Sequence, residues 1–576
     1  MPLALCLSLL IACDTALAQR VLPATATQEG LRRQEERSRE QQSRLEPSAD
    51  VLQPSRDMSF DTVLPVEAPC FVIHEIKLTG ESYCQFGWLL DSAQAYINRC
   101  VGVAGLSRIA SVLDAKLIEL GYATTKVTLP AQNLADGTLQ FQLHVGRIAQ
   151  IRMVQAAGAT EPVTVPDTAW GTWRNAFPAS PGDLVNVRDL EQGVEQMQRL
   201  ASQHVTTELV PGQQPDTSVL LIRHQESALR ERLHGGATLD NSGTGALGKP
   251  QFSGNLGLDN PLGLNDLLSL SVNSNIDALG ERHRSQNVAF DYSIPWGYDT
   301  FSISNANSQF AQVVQGTTVQ FLSSGSSRTT EAKWQRTLLR TSSAKAGAYA
   351  SLQLRRATSY LDDVELVVQR RRTTNLETGV TFRRLLTDAS VDLQIGYRRG
   401  VPWQSAQDDL AGVPEGGPTL RPSIWLVSGR YQQSFRLGQL PFQYTGVLRA
   451  QQTADATLST DQMAIGNRST VRGFDGDSVL LAESGTMLRN ELALPVQWFD
   501  GVEGLDMQIY TGIDAGRVWG ASAATLIGDR LAGAALGLRG KWQAMQCDLS
   551  YGTPLYKPAG FRTANHNLFL SLTAAF

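Results

Sequence analysis

The sequence predicts a mainly β protein: a C-terminal transmembrane antiparallel β-barrel, preceded by two small α+β units and an N-terminal helix. Three observations carry this. Apolar and polar residues alternate with period two through roughly the last 350 residues. A strand–helix–helix–strand–strand order occurs twice before that stretch, and an export signal opens the chain.

Residues 3–13 are an apolar run and Ala16-Leu17-Ala18 precedes Gln19, the pattern of a signal peptide over residues 1–18. The run is too short for a transmembrane helix. No Lys or Arg precedes it, so the true start is expected upstream. A second reading takes Leu10-Ile11-Ala12-Cys13 as a lipobox with Cys13 lipidated. Once residues 1–18 leave, Cys70, Cys84, Cys100 and Cys547 remain, in a compartment where disulfides persist. Three of them lie within about 30 residues, with no C-x-x-C pair and no paired histidines, so among those three one disulfide plus a leftover thiol is expected rather than zinc, and spacing does not choose the pairing.

Residues 28–46, "QEGLRRQEERSREQQSRLE", carry almost no apolar side chains, and Glu29–Arg33, Glu35–Arg39 and Glu40–Arg44 have the favourable acid-first i,i+4 order. Such a segment is either solvated or a helix seated in a polar, water-filled space. Pro47, Pro54, Pro65 and Pro69 mark a linker over 47–69.

The first α+β unit is assigned to residues 70–147. "FVIHEIKLTG" reads as a strand; Leu106, Ile109, Leu113, Leu117 and Leu120 share one helix face that Gly121 stops. "ATTKVTLP" and "GTLQFQLHVG" follow as strands joined through Asp136-Gly137. The second unit, 148–225, repeats the plan. "RIAQIRMV" is a strand, a tryptophan-containing segment near 168–177 is expected as a short helix, and Asn186 caps a helix bearing Leu190, Val194, Met197 and Ala201. "HVTTELVPG" and "TSVLLIRH" close it.

From residue 226 to 576 the helical period disappears. Leu268, Leu270 and Val272 alternate with Ser269, Ser271 and Asn273, and Leu570 and Leu572 alternate with Ser571 and Thr573. About 350 residues of this pattern exceed one soluble sandwich. In an exported chain it fits a barrel with an apolar outside and a polar inside, of roughly 16 strands at ~20–22 residues per strand and loop.

The totals exclude some functions. A net charge of −5 with 18% charged residues leaves no basic footprint for nucleic acid. "GTGALGK", Gly243 to Lys249, resembles a P-loop, but Pro250 stands where Ser or Thr is required and no helix follows. "GDS", Gly476 to Ser478, has the look of a serine-esterase opening, yet His566 is the only histidine after His283 and no Asp stands three residues ahead of it. Neither a catalytic residue nor a cofactor or metal site is expected.

The ordering resembles the outer-membrane transporters of two-partner secretion, the TpsB group. "CFVIHEIKLTGESYCQFGWLL" to "GTLQFQLHVGRIAQI" resembles that family's first polypeptide-transport-associated (POTRA) domain, and "VNVRDLEQGVEQMQRL" to "TSVLLI" its second. Val471-Arg472-Gly473-Phe474 matches the VRG[FY] signature of a loop folding back into the barrel around 460–485, and Gly512-Ile513-Asp514-Ala515-Gly516 matches the [FG]-x-D-x-G signature on the inner wall.

The resemblance implies a plug helix at 19–46, two periplasmic POTRA domains and a 16-stranded barrel, with Leu572 and Phe576 in a C-terminal assembly signal. It favours a Cys70–Cys100 disulfide, with Cys84 as the alternative partner. Arg472 inside a lumen needs a carboxylate, expected to be Asp514, with Asp475 and Asp477 as competitors nearer in sequence. The implied function is ATP-independent export of a large secreted partner, caught by the POTRA domains, through the outer membrane of a Gram-negative bacterium. The implied surroundings are membrane lipid and, during biogenesis, the barrel-assembly machinery, with the transporter a monomer. Rival readings are a barrel-assembly factor of the same superfamily, which typically carries more POTRA modules, and a passive porin, which needs none.

Overall fold

The structure is a computed structural model and describes residues 52–53, 63–155, 172–225, 228, 230–276, 282–315, 319–409, 412, 416–496 and 503–576. The signal peptide, Cys13 and the charged 28–46 segment lie outside the described residues.

The first unit contains β1 (Phe71–Ile73), β2 (Glu75–Gly80), α1 (Leu89–Ala93), β3 (Arg99–Val101), α2 (Val103–Glu119), β4 (Lys126–Thr128) and β5 (Thr138–His144). "FVIHEIKLTG" is thus two strands. β1 pairs with β3 in its own ribbon, while β2, β5 and β4 form a sheet in that order. Ile109, Leu113 and Leu117 of α2 are fully buried against Leu139 and Phe141 of that sheet. Leu120 departs from the expected face: the helix stops at Glu119, Leu120 is 40% exposed, and Tyr122 packs inward instead. The linker supplies the cap of α2, since the Glu67 carboxylate accepts from Ala104 N (2.8 Å) and Gly105 N (2.7 Å). That places a negative charge on otherwise unpaired donors at the positive end of the helix dipole.

The second unit contains β6 (Arg147–Gln155), α3 (Val187–Gln198), β7 (His204–Pro211) and β8 (Thr217–Gln225), with sheet order β6-β8-β7. Asn186 Oδ1 caps α3 by accepting from Arg188 N at 2.9 Å. The expected helix near 168–177 is corrected: residues 168–171 are outside the described set, and Trp173–Phe177 is a single turn closed by Ala176 N and Phe177 N on Trp173 O. Its purpose is packing, because Trp173 and Phe177 fill the core beneath α3.

The barrel begins with β9 (Leu233–Asp240), β10 (Gln251–Asp259), β11 (Leu267–Asn275), β12 (Arg284–Trp296), β13 (Asp299–Gln315), β14 (Gln320–Arg340) and β15 (Ala344–Leu361). A two-residue spur, β16 (Val364–Glu365), precedes β17 (Arg371–Leu385), β18 (Ala389–Gly400), β19 (Ser423–Leu437) and β20 (Leu440–Gln452). A short ribbon of β21 (Met463–Ile465) and β22 (Leu480–Ala482) stands apart from the wall. β23 (Ser484–Val496), β24 (Leu505–Trp519), β25 (Arg530–Trp542), β26 (Met545–Tyr556) and β27 (Asn567–Ala575) complete it. Setting aside the spur and the ribbon, sixteen antiparallel strands of described residues form a closed barrel, in which β27 returns to β9.

Burial is inverted relative to a soluble protein, as a lipid-facing wall requires. Ser269, Ser271 and Asn273 are 6% exposed or less, while their neighbour Leu270 is 43% exposed. Leu572 stands opposite Leu239 at the closing seam, which Phe576 extends by exchanging both backbone hydrogen bonds with Gly235 (3.1 and 2.9 Å).

The second unit is bolted to the mouth of the barrel that it faces. Gln192 and Gln196 of α3 donate to Gly297 O, Asn175 donates to Leu264 O and Pro295 O, and Glu195 lies between Arg340 (2.9 Å) and Lys345 (2.6 Å). Burial pushes the Glu195 carboxyl up, but Lys345 and Arg340 outweigh it and hold it below the ordinary glutamate range.

Candidate functional site

The chain between β20 and β23 turns back against the inner wall instead of staying outside. Asn467 starts the turn, its Oδ1 accepting from Ser469 N and Thr470 N (both 3.0 Å). Val471 and Phe474 then face a buried apolar cluster with Ile465, Leu480, Met487, Val518 and Leu531, and the Phe474 ring meets Phe561 edge-on at 5.7 Å. Burying side chains of this size is worth about 1.5–3 kcal/mol each. Between them Gly473 sits at φ +100°, with its backbone so close to β26 that a Cβ would lie 2.4 Å from Thr553 O. Only glycine meets both conditions without strain.

Arg472 is 5% exposed and Asp514 of β24 is fully buried. Arg472 donates to Asp514 from its backbone N (3.0 Å), from Nε (2.7 Å) and from Nη2 (2.9 Å). Its Nη1 reaches Glu491 at 2.7 Å, and Nη2 also donates to Asn490 O at 2.8 Å. The fork is thus filled by a bidentate carboxylate on one edge and a second acid on the other. The strand pleat explains the surrounding glycines. Gly512, Asp514 and Gly516 share the inner face by period two, and a Cβ on Gly512 would stand 2.1 Å from Arg472 Nη2. A Cβ on Gly516 would press on Ile465 and Val471 at 3.0–3.1 Å. The two glycines cut a slot in the wall, and the aspartate lies at its base.

Charges alternate outward from the slot. Glu491 also meets Arg539 of β25 (3.4 Å), Arg539 meets Asp548 of β26 (3.0 Å), and Tyr510 donates to Asp548 (2.7 Å) beneath the Arg539 guanidinium. Glu491, Arg539, Asp548 and Tyr510 were not among the expected residues; their only signal in the sequence is a charge at an inward position of an alternating strand. Asp475 and Asp477, the nearer competitors for Arg472, turn elsewhere: Asp475 accepts from Ala564 N (2.8 Å) and Asp477 from Gly245 N (2.7 Å). The glycine-rich Gly243–Lys249 segment is therefore a hairpin loop against which the inner loop rests. Asn567 Nδ2 holds Gly473 O at 2.8 Å.

Cys70 and Cys100 form a disulfide joining the β1–β3 ribbon, with Cα atoms 5.3 Å apart; Cys84 and Cys547 take no part in a disulfide. Among the described residues no three metal-ligating side chains gather.

Comparison with known proteins agrees with this architecture. The haemolysin secretion/activation protein family ShlB/FhaC/HecB matches residues 216–540, a ShlB-type POTRA domain matches 71–146, and a second POTRA family matches 147–211. The outer membrane transporter CdiB-2 of Burkholderia pseudomallei (strain 1026b) is 34% identical over 533 residues, covering 89% of this chain and 88% of that protein. The hemolysin transporter protein ShlB of Serratia marcescens is 23% identical over 430 residues, covering 75% and 73%. The solved structure of CdiB from Escherichia coli has the same fold, with a TM-score of 0.82 at 24% identity over 98% of this chain and 100% of that one. A barrel with two POTRA domains at one mouth, matched over more than half its length by the family, places the chain in the haemolysin secretion/activation family, the outer-membrane transporters of two-partner secretion.

Proposed function

We propose that this chain carries one large secreted protein from the periplasm to the cell surface in extended form, and that the Arg472 loop is the constriction the cargo passes. The observation that supports this most is the buried Arg472–Asp514 pair, the charged anchor among the contacts that hold a loop inside the barrel. The POTRA sheets suit capture of an extended chain. Their orders, β2-β5-β4 and β6-β8-β7, leave β2, β4, β6 and β7 at the edges, where a cargo strand adds by backbone hydrogen bonds. With no ATP in the periplasm, folding of the cargo outside supplies the drive, and the chain makes or breaks no covalent bond. It acts as a monomer, Leu572 and Phe576 belong to the strand read by the assembly machinery, and the charged 28–46 segment plugs the resting pore.

The test is co-expression with a large exported protein encoded beside it, assaying surface and medium. Wild type should release the cargo. Arg472→Ala and Arg472→Lys should insert into the outer membrane yet secrete poorly. Normal secretion from both would remove the loop from the mechanism.

A further inference from the structure

The outer wall carries a charge pattern that export does not use. On β14, β15 and β17 the outward positions Ala332, Leu352 and Leu376 stand opposite one another in register, within the apolar band. Four residues further from the POTRA end, the same strands present Arg328, Arg356 and Arg372, again directly opposed and all exposed. Side chains opposed across neighbouring strands have Cβ atoms about 4.5–5.5 Å apart, where like charges repel.

Among the described residues, none of the three has a carboxylate partner, and Arg328 Nε instead donates to Asn307 Oδ1 at 2.7 Å. Elsewhere at this rim the same conflict is resolved within the protein. Arg517 and Arg530 also face each other, but Asp529 binds both (2.7 and 3.2 Å), and Arg370 holds Glu365 at 2.8 Å. The apolar band ends nearby at an outward aromatic pair, Tyr397 and Trp425, with ring centroids 4.9 Å apart, as rings do at headgroup level. Guanidinium groups that no carboxylate of the described residues pairs thus lie where the acyl region gives way to headgroups, on the leaflet away from the POTRA domains.

We propose that Arg328, Arg356 and Arg372 form a docking row for the phosphates of an anionic glycolipid of the outer leaflet, of the lipid A type. Phosphate offers the planar fork of arginine paired oxygens, and its charge removes the repulsion along the row. The lipid then serves this face as Asp529 serves the opposite one.

The experiment uses the full chain in nanodiscs of zwitterionic phospholipid, titrated with bisphosphorylated lipid A or with the same lipid stripped of phosphate, counting bound lipid by native mass spectrometry. Wild type should favour the phosphorylated form on the order of 100-fold, from three basic contacts. Arg328→Gln/Arg356→Gln/Arg372→Gln should lose that preference, while Arg517→Gln/Arg530→Gln should keep it. Equal affinity of wild type for the two lipids, an arm that requires no variant, overturns the proposal. So does equal loss in the control variant. Lost secretion with lipid preference intact in the triple variant assigns the row to the emerging cargo and also overturns it.

Discussion

Replacing Arg472 by alanine removes four guanidinium hydrogen bonds and leaves Asp514 buried with two backbone donors and only the more distant Arg489 guanidinium, at 4.0 Å, as a charged partner. Breaking a buried pair from one side costs about 3–5 kcal/mol. Glu491 is 20% exposed and water takes over part of its share, so the loss centres on Asp514. The barrel's own ladder does not run through Arg472, so the cost falls on the loop's seating rather than on barrel stability. The equilibrium for lifting the loop should therefore shift by about 100-fold to a few thousand-fold. Hydrogen–deuterium exchange of amides in 466–480 reads that opening directly. Lysine keeps the charge but not the fork, so Arg472→Lys should fall between the two. A double variant, Arg472→Met with Asp514→Leu, leaves no orphaned charge and should exchange more slowly than either Arg472→Ala or Asp514→Leu alone. Unchanged exchange in Arg472→Ala, or strictly additive effects in the double variant, would refute the latch argument.

Gly512→Ala should unseat Arg472 and impair secretion more than Gly516→Ala, whose Cβ meets movable side-chain methyls; paired secretion assays compare them. Glu67→Ala should lower POTRA stability by about 1 kcal/mol through the lost α2 cap, seen as a shifted first transition in calorimetry. Replacing Cys70 and Cys100 by serine should cost about 2–4 kcal/mol for a crosslink spanning 30 residues, measured by urea unfolding of the periplasmic part of the full chain. Because the Glu195 carboxyl is held low, its contribution to POTRA docking is complete above the ordinary glutamate range and is lost as pH falls through its depressed value. Crosslinking between α3 and the barrel turns should accordingly weaken in acid, and Glu195→Gln should remove that step.

The barrel was legible because period-two alternation records which face meets lipid, and Leu270 against Ser269 and Ser271 keeps that record. The helix of α2 was legible from its face, but not its end: Leu120 fits the spacing, yet it is Tyr122 that packs against the core. Trp173 and Phe177 misled because a compact apolar turn and a short helix have the same composition. In the site, the need of Arg472 for an acid follows from charge and lumen alone. Which acids serve depends on register between strands, which brings Glu491 beside Asp514 and carries Asp475 and Asp477 away. No local pattern marks Glu491 as the second partner.

The seam between β9 and β27 has a consequence in time. Every other wall pairing joins strands close in sequence, whereas Thr238 and Thr573, hydrogen-bonded at 3.0 Å, are 335 residues apart. Closing a loop of that length carries the largest entropic cost of any pairing in the wall, which favours its forming after the others. Until then the growing sheet has two unsatisfied margins in reach of other chains. A barrel built in strand order is therefore most open to mispairing in the interval before this seam closes.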